Sequence, residues 1–236
     1  MRMRNKKHRD ERLAACGHLL LTKPTAPFTS SADILGREGM PLWLEIGCGK
    51  GDFAVGTASL NPEVCLVAFE RVSNVMVVAV EKAEAAADTR PDNLRFAIAD
   101  AATLTEWFAE GSLDCLCLNF SDPWPKKGYA KRRLTHRGFL EVYFKLLKPG
   151  GQLRFKTDNV GLFDFTLEEL AAMGKTPEFV TRDLHNSPQN EGNVMTEYER
   201  NFSEQGMKIN MLKLTKPSGF NPDVSEEFLN KNIHRS

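Results

Sequence analysis

A doubly wound α/β fold, built on a mostly parallel sheet of seven strands, is predicted for this 236-residue chain by three observations. From residue 41 onward, short apolar runs alternate with longer segments that mix alanine, valine and charged residues. The connections between them are short, which suits parallel strands joined by crossover helices. The run 113–120 is almost wholly apolar, as a strand covered on both faces must be.

In chain order, residues 1–21 read as a basic arm leading into a short helical or extended piece. Residues 22–40 contain Pro24, Pro27, Gly36 and Gly39 and read as linker, so 1–40 are set apart as an N-terminal arm and linker. The predicted strands are 42–46, 65–70, 94–99, 113–120, 152–157, 178–183 and 207–214. The predicted helices are 73–87, 101–109, 135–147, 160–173 and 196–205. Lys148-Pro149-Gly150-Gly151 reads as the stop of the third helix, and Asp158-Asn159 as capping candidates for the fourth. Residues 41–214 form the expected domain and 215–236, with Pro217, Gly219 and Pro222, a weakly ordered tail.

Composition narrows the class. The chain is 42% hydrophobic and 26% charged, which is globular rather than disordered. Five cysteines, an odd number and partly within apolar runs, argue for a reducing cytoplasm over a disulfide framework. No apolar run approaches the roughly 18–20 residues that span a bilayer. The basic start is followed by a stretch broken by Gly17 and His18, which does not suit a secretory signal. Lys and Arg total 31 and so do Asp and Glu, which excludes a bulk polybasic binder of nucleic acid. The charge is segregated, however. Residues 1–12 hold six cations and two acids, residues 126–137 hold six cations and no acid, and the remainder is acidic. The two basic segments are candidate contacts for an anionic partner.

The first strand feeds Glu45-Ile46-Gly47-Cys48-Gly49-Lys50-Gly51-Asp52. Alternate glycines allow a tight turn and close approach of a ligand to the backbone. A dinucleotide site would want its third glycine at 52, where Asp52 would repel a pyrophosphate at a helix N-terminus. Gly-x-Gly-x-Gly after a carboxylate suits S-adenosylmethionine instead, a ligand with a sulfonium and an ammonium and no phosphate. Glu70 ends the second strand and is placed to accept ribose hydroxyls. Asp100 ends the third and could meet the adenine edge. After the fourth strand, Ser121-Asp122-Pro123-Trp124-Pro125 forms a stiffened loop that holds Asp122 in place. The run that follows, with Lys126, Lys131, Arg132, Arg133 and Arg137, reads as a phosphate-gripping rim.

Together, Glu45 through Gly51, Phe120-Ser-Asp-Pro-Trp-Pro-Lys126-Lys, Lys131-Arg-Arg-Leu134, Thr157-Asp158 and Thr196-Glu-Tyr-Glu199 with Phe202 and Gly206 carry a resemblance to the bacterial tRNA (guanine-N7-)-methyltransferases. The match runs from residue 1 to about 214. The Asp-Pro-Trp-Pro-Lys and Thr-x-Tyr-Glu stretches are its specific part. The chain departs from the family pattern at Gly128-Tyr129, where a cation is usual. The resemblance implies a Rossmann-like class I methyltransferase. Its reaction would move a methyl group from S-adenosyl-L-methionine to N7 of a guanine, expected at position 46 in the tRNA variable loop, with S-adenosyl-L-homocysteine as product. It implies Asp122 as the catalytic residue, and Glu45, Gly47, Gly49, Gly51, Glu70 and Asp100 around the cofactor. Lys126, Asp158, Thr196 and Glu199 would contact substrate, and Lys131, Arg132 and Arg133 would contact RNA. No metal and no membrane partner are expected, and a monomer or a homodimer is expected.

Three other readings remain open at this level. An adenine-N6-type amino-methyltransferase would place a second proline where Trp124 stands. A nucleotide-dependent oxidoreductase is opposed by Asp52. A non-catalytic RNA-binding partner with a methyltransferase fold is opposed by the intact set Glu45, Glu70 and Asp122.

Overall fold

The structure, a computed structural model, describes residues 6–89 and 92–217. The described chain runs through α1 (Arg9–Ala15), α2 (Ala32–Leu35), β1 (Leu42–Ile46), α3 (Asp52–Leu60), β2 (Cys65–Glu70), α4 (Ser73–Ala85), β3 (Leu94–Ile98) and α5 (Leu104–Trp107). It continues through β4 (Leu113–Asn119), α6 (Arg137–Leu146), β5 (Leu147–Thr157), α7 (Val160–Ala172), β6 (Phe179–Thr181), α8 (Glu197–Glu204) and β7 (Asn210–Thr215). The seven strands form one sheet in the order β3-β2-β1-β4-β5-β7-β6. β1 to β5 pair in parallel, while β7 runs antiparallel to both β5 and β6.

Strand periodicity gives the sheet two unlike faces. Leu42, Leu44 and Ile46 of β1, Leu116 and Leu118 of β4, Leu153 and Phe155 of β5 and Leu212 and Leu214 of β7 share one face. They pack against Phe139, Tyr143, Leu162 and Phe163 from α6 and α7. Each such side chain, fully buried, stabilises by about 1.5–3 kcal/mol. The opposite face is apolar mainly over β2 and β3, where Leu66, Ala68, Leu94 and Phe96 meet Ala54 and Ala58 of α3 and Met76, Val77 and Val80 of α4. Over β4, β5 and β7 the alternate positions include the polar Asn119, Arg154, Lys156 and Lys213 beside Cys115, Cys117 and Met211. That half-polar face matters below.

Several elements differ from the sequence expectation. α3 was not anticipated; its glycine and β-branched residues are weak helix formers, and tertiary burial of Ala54, Thr57 and Ala58 holds it. Lys148–Gly151 does not close a helix but belongs to β5. A Cβ at Gly151 would lie 2.9 Å from Lys148 O and 3.0 Å from Leu113 O, so only glycine allows this close approach at the irregular start of the β4–β5 pairing. The 101–109 helix resolves into a short 3-10 turn plus the single turn of α5. α6 starts at Arg137 rather than 135, because His136 caps it, its ring accepting from Gly138 N at 3.1 Å. Asn159 rather than Asp158 caps α7, accepting from Leu162 N at 2.8 Å. The last strand begins at Asn210 instead of 207.

The segment read as linker is part of the body. Phe28 N donates to Trp107 O at 2.8 Å, Ala109 N donates back to Phe28 O at 2.9 Å, and the Phe28 ring packs on Trp107 and Phe108. Leu13, Cys16 and Leu19 join the α3–α4 core. Arg12 forks onto Glu81 of α4 through two 2.6 Å bonds. Residues 1–5 of the basic arm and 218–236 of the tail lie outside the described residues. All five cysteines are buried free thiols. No helix among the described residues is long and apolar enough to cross a membrane, and among them no group of three or more His, Cys, Asp or Glu is placed to hold a metal ion.

Candidate active site

Parallel strands bring their C-terminal ends to one edge of the sheet, and the sequence-predicted acids collect there. Gly47 N and Cys48 N donate to Phe69 O at 2.8 and 2.9 Å, which locks the glycine loop onto β2. Gly51 has φ 82°, and a Cβ there would lie 2.9 Å from that of Ala79, so α3 and α4 can pack this closely only over glycine. Nothing lies within 4 Å of a Cβ placed on Gly47 or Gly49, which leaves open space above the loop. Glu70 braces the loop from β2, accepting from Gly49 N at 3.2 Å and Val72 N at 2.8 Å. Burial raises its carboxyl above the ordinary value despite these bonds. Asp100 caps the turn after β3, accepting from Ala102 N at 2.9 Å, with Arg71 3.6 Å from its other oxygen.

Glu45 is the unusual member. It is 1% exposed, with Oε1 accepting from Asn119 Nδ2 at 2.9 Å and Oε2 lacking any partner among the described residues. Burial pushes its carboxyl up to about 8, against the opposing pull of Asn119 and Lys156. A buried carboxylate oxygen without a donor is costly unless something cationic or donating reaches it.

Asp122 stands one loop further on. It is exposed and has no hydrogen bond or ion pair with the described residues. The loop is strained on both sides of it: Phe120 has φ 52° and Trp124 φ 40°, both non-glycine residues in the left-handed region. Such conformations cost about 1–3 kcal/mol each and persist where the surroundings over-determine them. Those surroundings are visible here. Phe120 N donates to Lys156 O at 2.9 Å, and its ring stacks on Phe202 with centroids 6.3 Å apart. Arg133 donates to Pro123 O at 3.0 Å and Trp124 O at 3.1 Å, and its guanidinium lies 4.2 Å from the centre of the Phe165 ring. Arg133 is therefore committed to holding the Asp122 loop. Arg132 sits between Trp124 and Tyr129, 5.1 and 4.8 Å from their ring centres. Lys126 and Lys131 are exposed on the same loop.

Asp158 follows β5, whose parallel register with β4 (Asn119 opposite Lys156) puts it on the same sheet edge as Asp122. Thr196 and Glu199 are placed differently from a simple substrate contact. Thr196 Oγ1 caps α8, accepting from Glu199 N at 2.9 Å. Glu199 is fully buried. It meets Lys156 Nζ at 2.7 Å, Asn193 Nδ2 at 2.7 Å and His185 Nε2 at 2.9 Å. Burial works to raise the Glu199 carboxyl, but Lys156 and the other donors outweigh it and hold it below the ordinary value. Lys156 also donates to Asn193 Oδ1 and Val194 O, so the excursion 184–195 is pinned to β5. α8 is tied to the glycine loop as well: Asp52 bridges Lys82 of α4 and Arg200 of α8, and Lys50 pairs with Glu197 at 2.8 Å.

Asn119, Lys156, His185 and Asn193 are site residues that the sequence reading did not single out. Asn119 sat in view at the end of the fourth strand. Lys156 was detectable only as a lysine inside an apolar strand. His185 and Asn193 carried no signal short of their contacts.

A doubly wound sheet with a Gly-x-Gly-x-Gly loop, an orphaned buried carboxylate oxygen and an acid ending the second strand suits a methyltransferase of the S-adenosylmethionine-dependent class. The residues fit that group: open space over Gly47 and Gly49 admits it, and Glu45 Oε2 awaits a cationic or donating partner. A family described as "Putative methyltransferase" matches residues 39–212. The tRNA (guanine-N(7)-)-methyltransferases of two Lactococcus lactis subsp. cremoris strains, SK11 and MG1363, are each 42% identical to this chain. Both alignments cover 90% of this chain and 97% of the relative. The chain belongs to this tRNA (guanine-N7-)-methyltransferase family. Solved structures agree on the fold. The 16S rRNA methyltransferase KamB superposes with TM-score 0.56 at 17% identity, over 74% of this chain and 87% of its own. A 16S rRNA (adenine(1408)-N(1))-methyltransferase from Catenulisporales acidiphilia superposes with TM-score 0.51 at 16% identity, over 92% and 95%.

Proposed function

We propose that this protein transfers a methyl group from S-adenosyl-L-methionine to N7 of a guanine in tRNA, in the cytoplasm, and that residues 41–214 carry the reaction. The observation that carries the reading is Asp122, exposed and unpaired among the described residues, on a strained loop at the C-terminal edge of β4 next to the glycine loop.

S-adenosyl-L-methionine, when bound, supplies the electrophilic methyl carbon. Glu45 would take its ammonium, Glu70 its ribose hydroxyls and Asp100 its adenine edge, above Gly47, Gly49 and Gly51. Guanine N7 is a lone-pair nucleophile with no proton to lose, so Asp122 need not act as a base. Its carboxylate accepts the guanine N1 and N2 hydrogens, or balances the positive charge that builds on the base. Either role suits an exposed side chain with free oxygens. Lys126, Lys131 and Arg132 would grip phosphates, Lys126 and Lys131 as point charges and Arg132 as a fork. Asp158 would meet the base beside Asp122. Thr196 and Glu199 would serve the substrate by fixing α8 and the 184–195 excursion, and Arg133 by fixing the Asp122 loop.

The test is direct. The protein is incubated with unmodified tRNA and labelled donor, and the digested nucleosides are identified. N7-methylguanosine is expected; N6-methyladenosine or no incorporation overturns the reading. Asp122→Ala should lose most turnover in a single-turnover assay while retaining donor binding.

A further inference from the structure

We propose that the chain carries a second binding site, for a phosphate-class dianion, on the face of its sheet where Arg154 and Lys213 meet across β5 and β7 beneath α3. The two cations are direct cross-strand partners. Like charges so placed destabilise a sheet, and neither has a carboxylate within ion-pairing distance among the described residues. Instead both are held in position by neutral groups. Arg154 Nε and Nη2 donate to Gln152 Oε1 at 3.2 and 2.9 Å, and the guanidinium lies 4.7 Å from the centre of the Trp43 ring. Lys213 Nζ donates to Gln189 Oε1. Arg154 Nη1 has no partner among the described residues.

A cavity of about 140 Å³ is lined by both cations, by Thr57 of α3 and by Asn61 just beyond its end. Thr57 is 3% exposed, yet its Oγ1 has no hydrogen-bond partner among the described residues. A buried unpaired hydroxyl and two cations without a carboxylate partner, all lining one cavity, are a donor set that lacks its acceptor. The volume holds a tetrahedral oxyanion with accompanying water. Burial and the nearby Arg154 both push the Lys213 ammonium below its ordinary value, and an anion between the two would reverse that. The only carboxylate among the lining residues, Glu191, is exposed. Asn119, which bonds Glu45, and Lys156 and Asn193, which bond Glu199, also line this cavity, whereas none of the loop glycines, Glu70, Asp100 or Asp122 does. Two positive charges and a hydroxyl donor match a dianion, either inorganic phosphate or a phosphate monoester.

Thermal unfolding of the full chain tests the site, in buffers matched in ionic strength with chloride. Inorganic phosphate should raise the Tm saturably, by on the order of 5 °C at a hundred times its Kd. Saturation with adenosine monophosphate but not with inorganic phosphate would assign the site to a monoester. Lys213→Gln and Thr57→Val should each melt higher than the parent in phosphate-free buffer, because repulsion or an orphaned hydroxyl is removed, and should gain nothing from phosphate. A merely structural role would lower the Tm in both buffers. The proposal is overturned if neither anion acts saturably on the parent, or if both variants keep the full phosphate-dependent rise. Should Lys213→Gln fail to fold, Thr57→Val alone decides between these outcomes.

Discussion

Replacing Glu199 with Gln keeps the side-chain volume but removes the charge that Lys156 Nζ meets at 2.7 Å. Lys156 is 4% exposed at its side chain and Glu199 0%, so the ammonium left behind has little solvent to turn to. Asn193 Oδ1 and Val194 O still accept from it, but neither carries charge. Breaking one side of a buried pair costs about 3–5 kcal/mol. For a chain of this size each kcal/mol moves the Tm by about 2–4 °C, so Glu199→Gln should melt roughly 6–20 °C below the parent. Differential scanning calorimetry reads this directly. Combining it with Lys156→Met removes the stranded ammonium and should restore at least half of the loss. A drop under about 2 °C, accompanied by a severalfold rise in KM for tRNA, would refute the reasoning and put Glu199 in contact with substrate. The pH dependence has a definite sign. The Glu199 carboxyl is held below its unfolded value, so its contribution is present above that unfolded value and is lost as pH falls through the depressed folded one.

Lys131→Ala or Arg132→Ala should weaken tRNA binding and flatten the dependence of log affinity on log salt by about 0.7–0.9 for each phosphate no longer neutralised; an unchanged slope removes the residue from the interface. Arg133→Ala releases the carbonyls of Pro123 and Trp124, and should lower kcat more than it changes the salt slope, which single-turnover rates and binding isotherms separate. Glu45, pushed up to about 8, is protonated at neutral pH in the free protein. Affinity for a cationic donor should therefore rise with pH through about 8 and level off, and Glu45→Gln should abolish that rise in calorimetric titrations. Its stabilising contribution to the free fold is present in acid and lost as pH rises through about 8, so a stability profile that is flat between pH 6 and 9 contradicts the burial argument.

How much of this was legible in the sequence depended on whether the signal was local. The glycine loop, Glu70 and Asp100 announce themselves because strand ends and turn glycines sit a few residues apart. The Asp122 loop was legible because two prolines mark it. The antiparallel direction of β7 was not legible, since nothing in 207–214 records which way a strand enters the sheet. Nor was the inward commitment of Glu199: its spacing from Thr196 suggested a shared helix face, and only the contact with Lys156, 43 residues away, buries it. Arg133 read as one more cation in a basic run, and its aim at two backbone carbonyls is a tertiary fact. α3 was missed because local propensity argued against it and packing decided in its favour.

Asp52 has a consequence for how this enzyme can change over evolutionary time. The carboxylate that stands where a dinucleotide fingerprint has its third glycine also clasps Lys82 and Arg200. A mutation to glycine, the single step toward a dinucleotide fingerprint, would remove the Arg200 tie between α8 and this region and leave only the Lys50–Glu197 pair to hold it to the glycine loop. A substitution at this one side chain therefore acts on the glycine loop, α4 and α8 together.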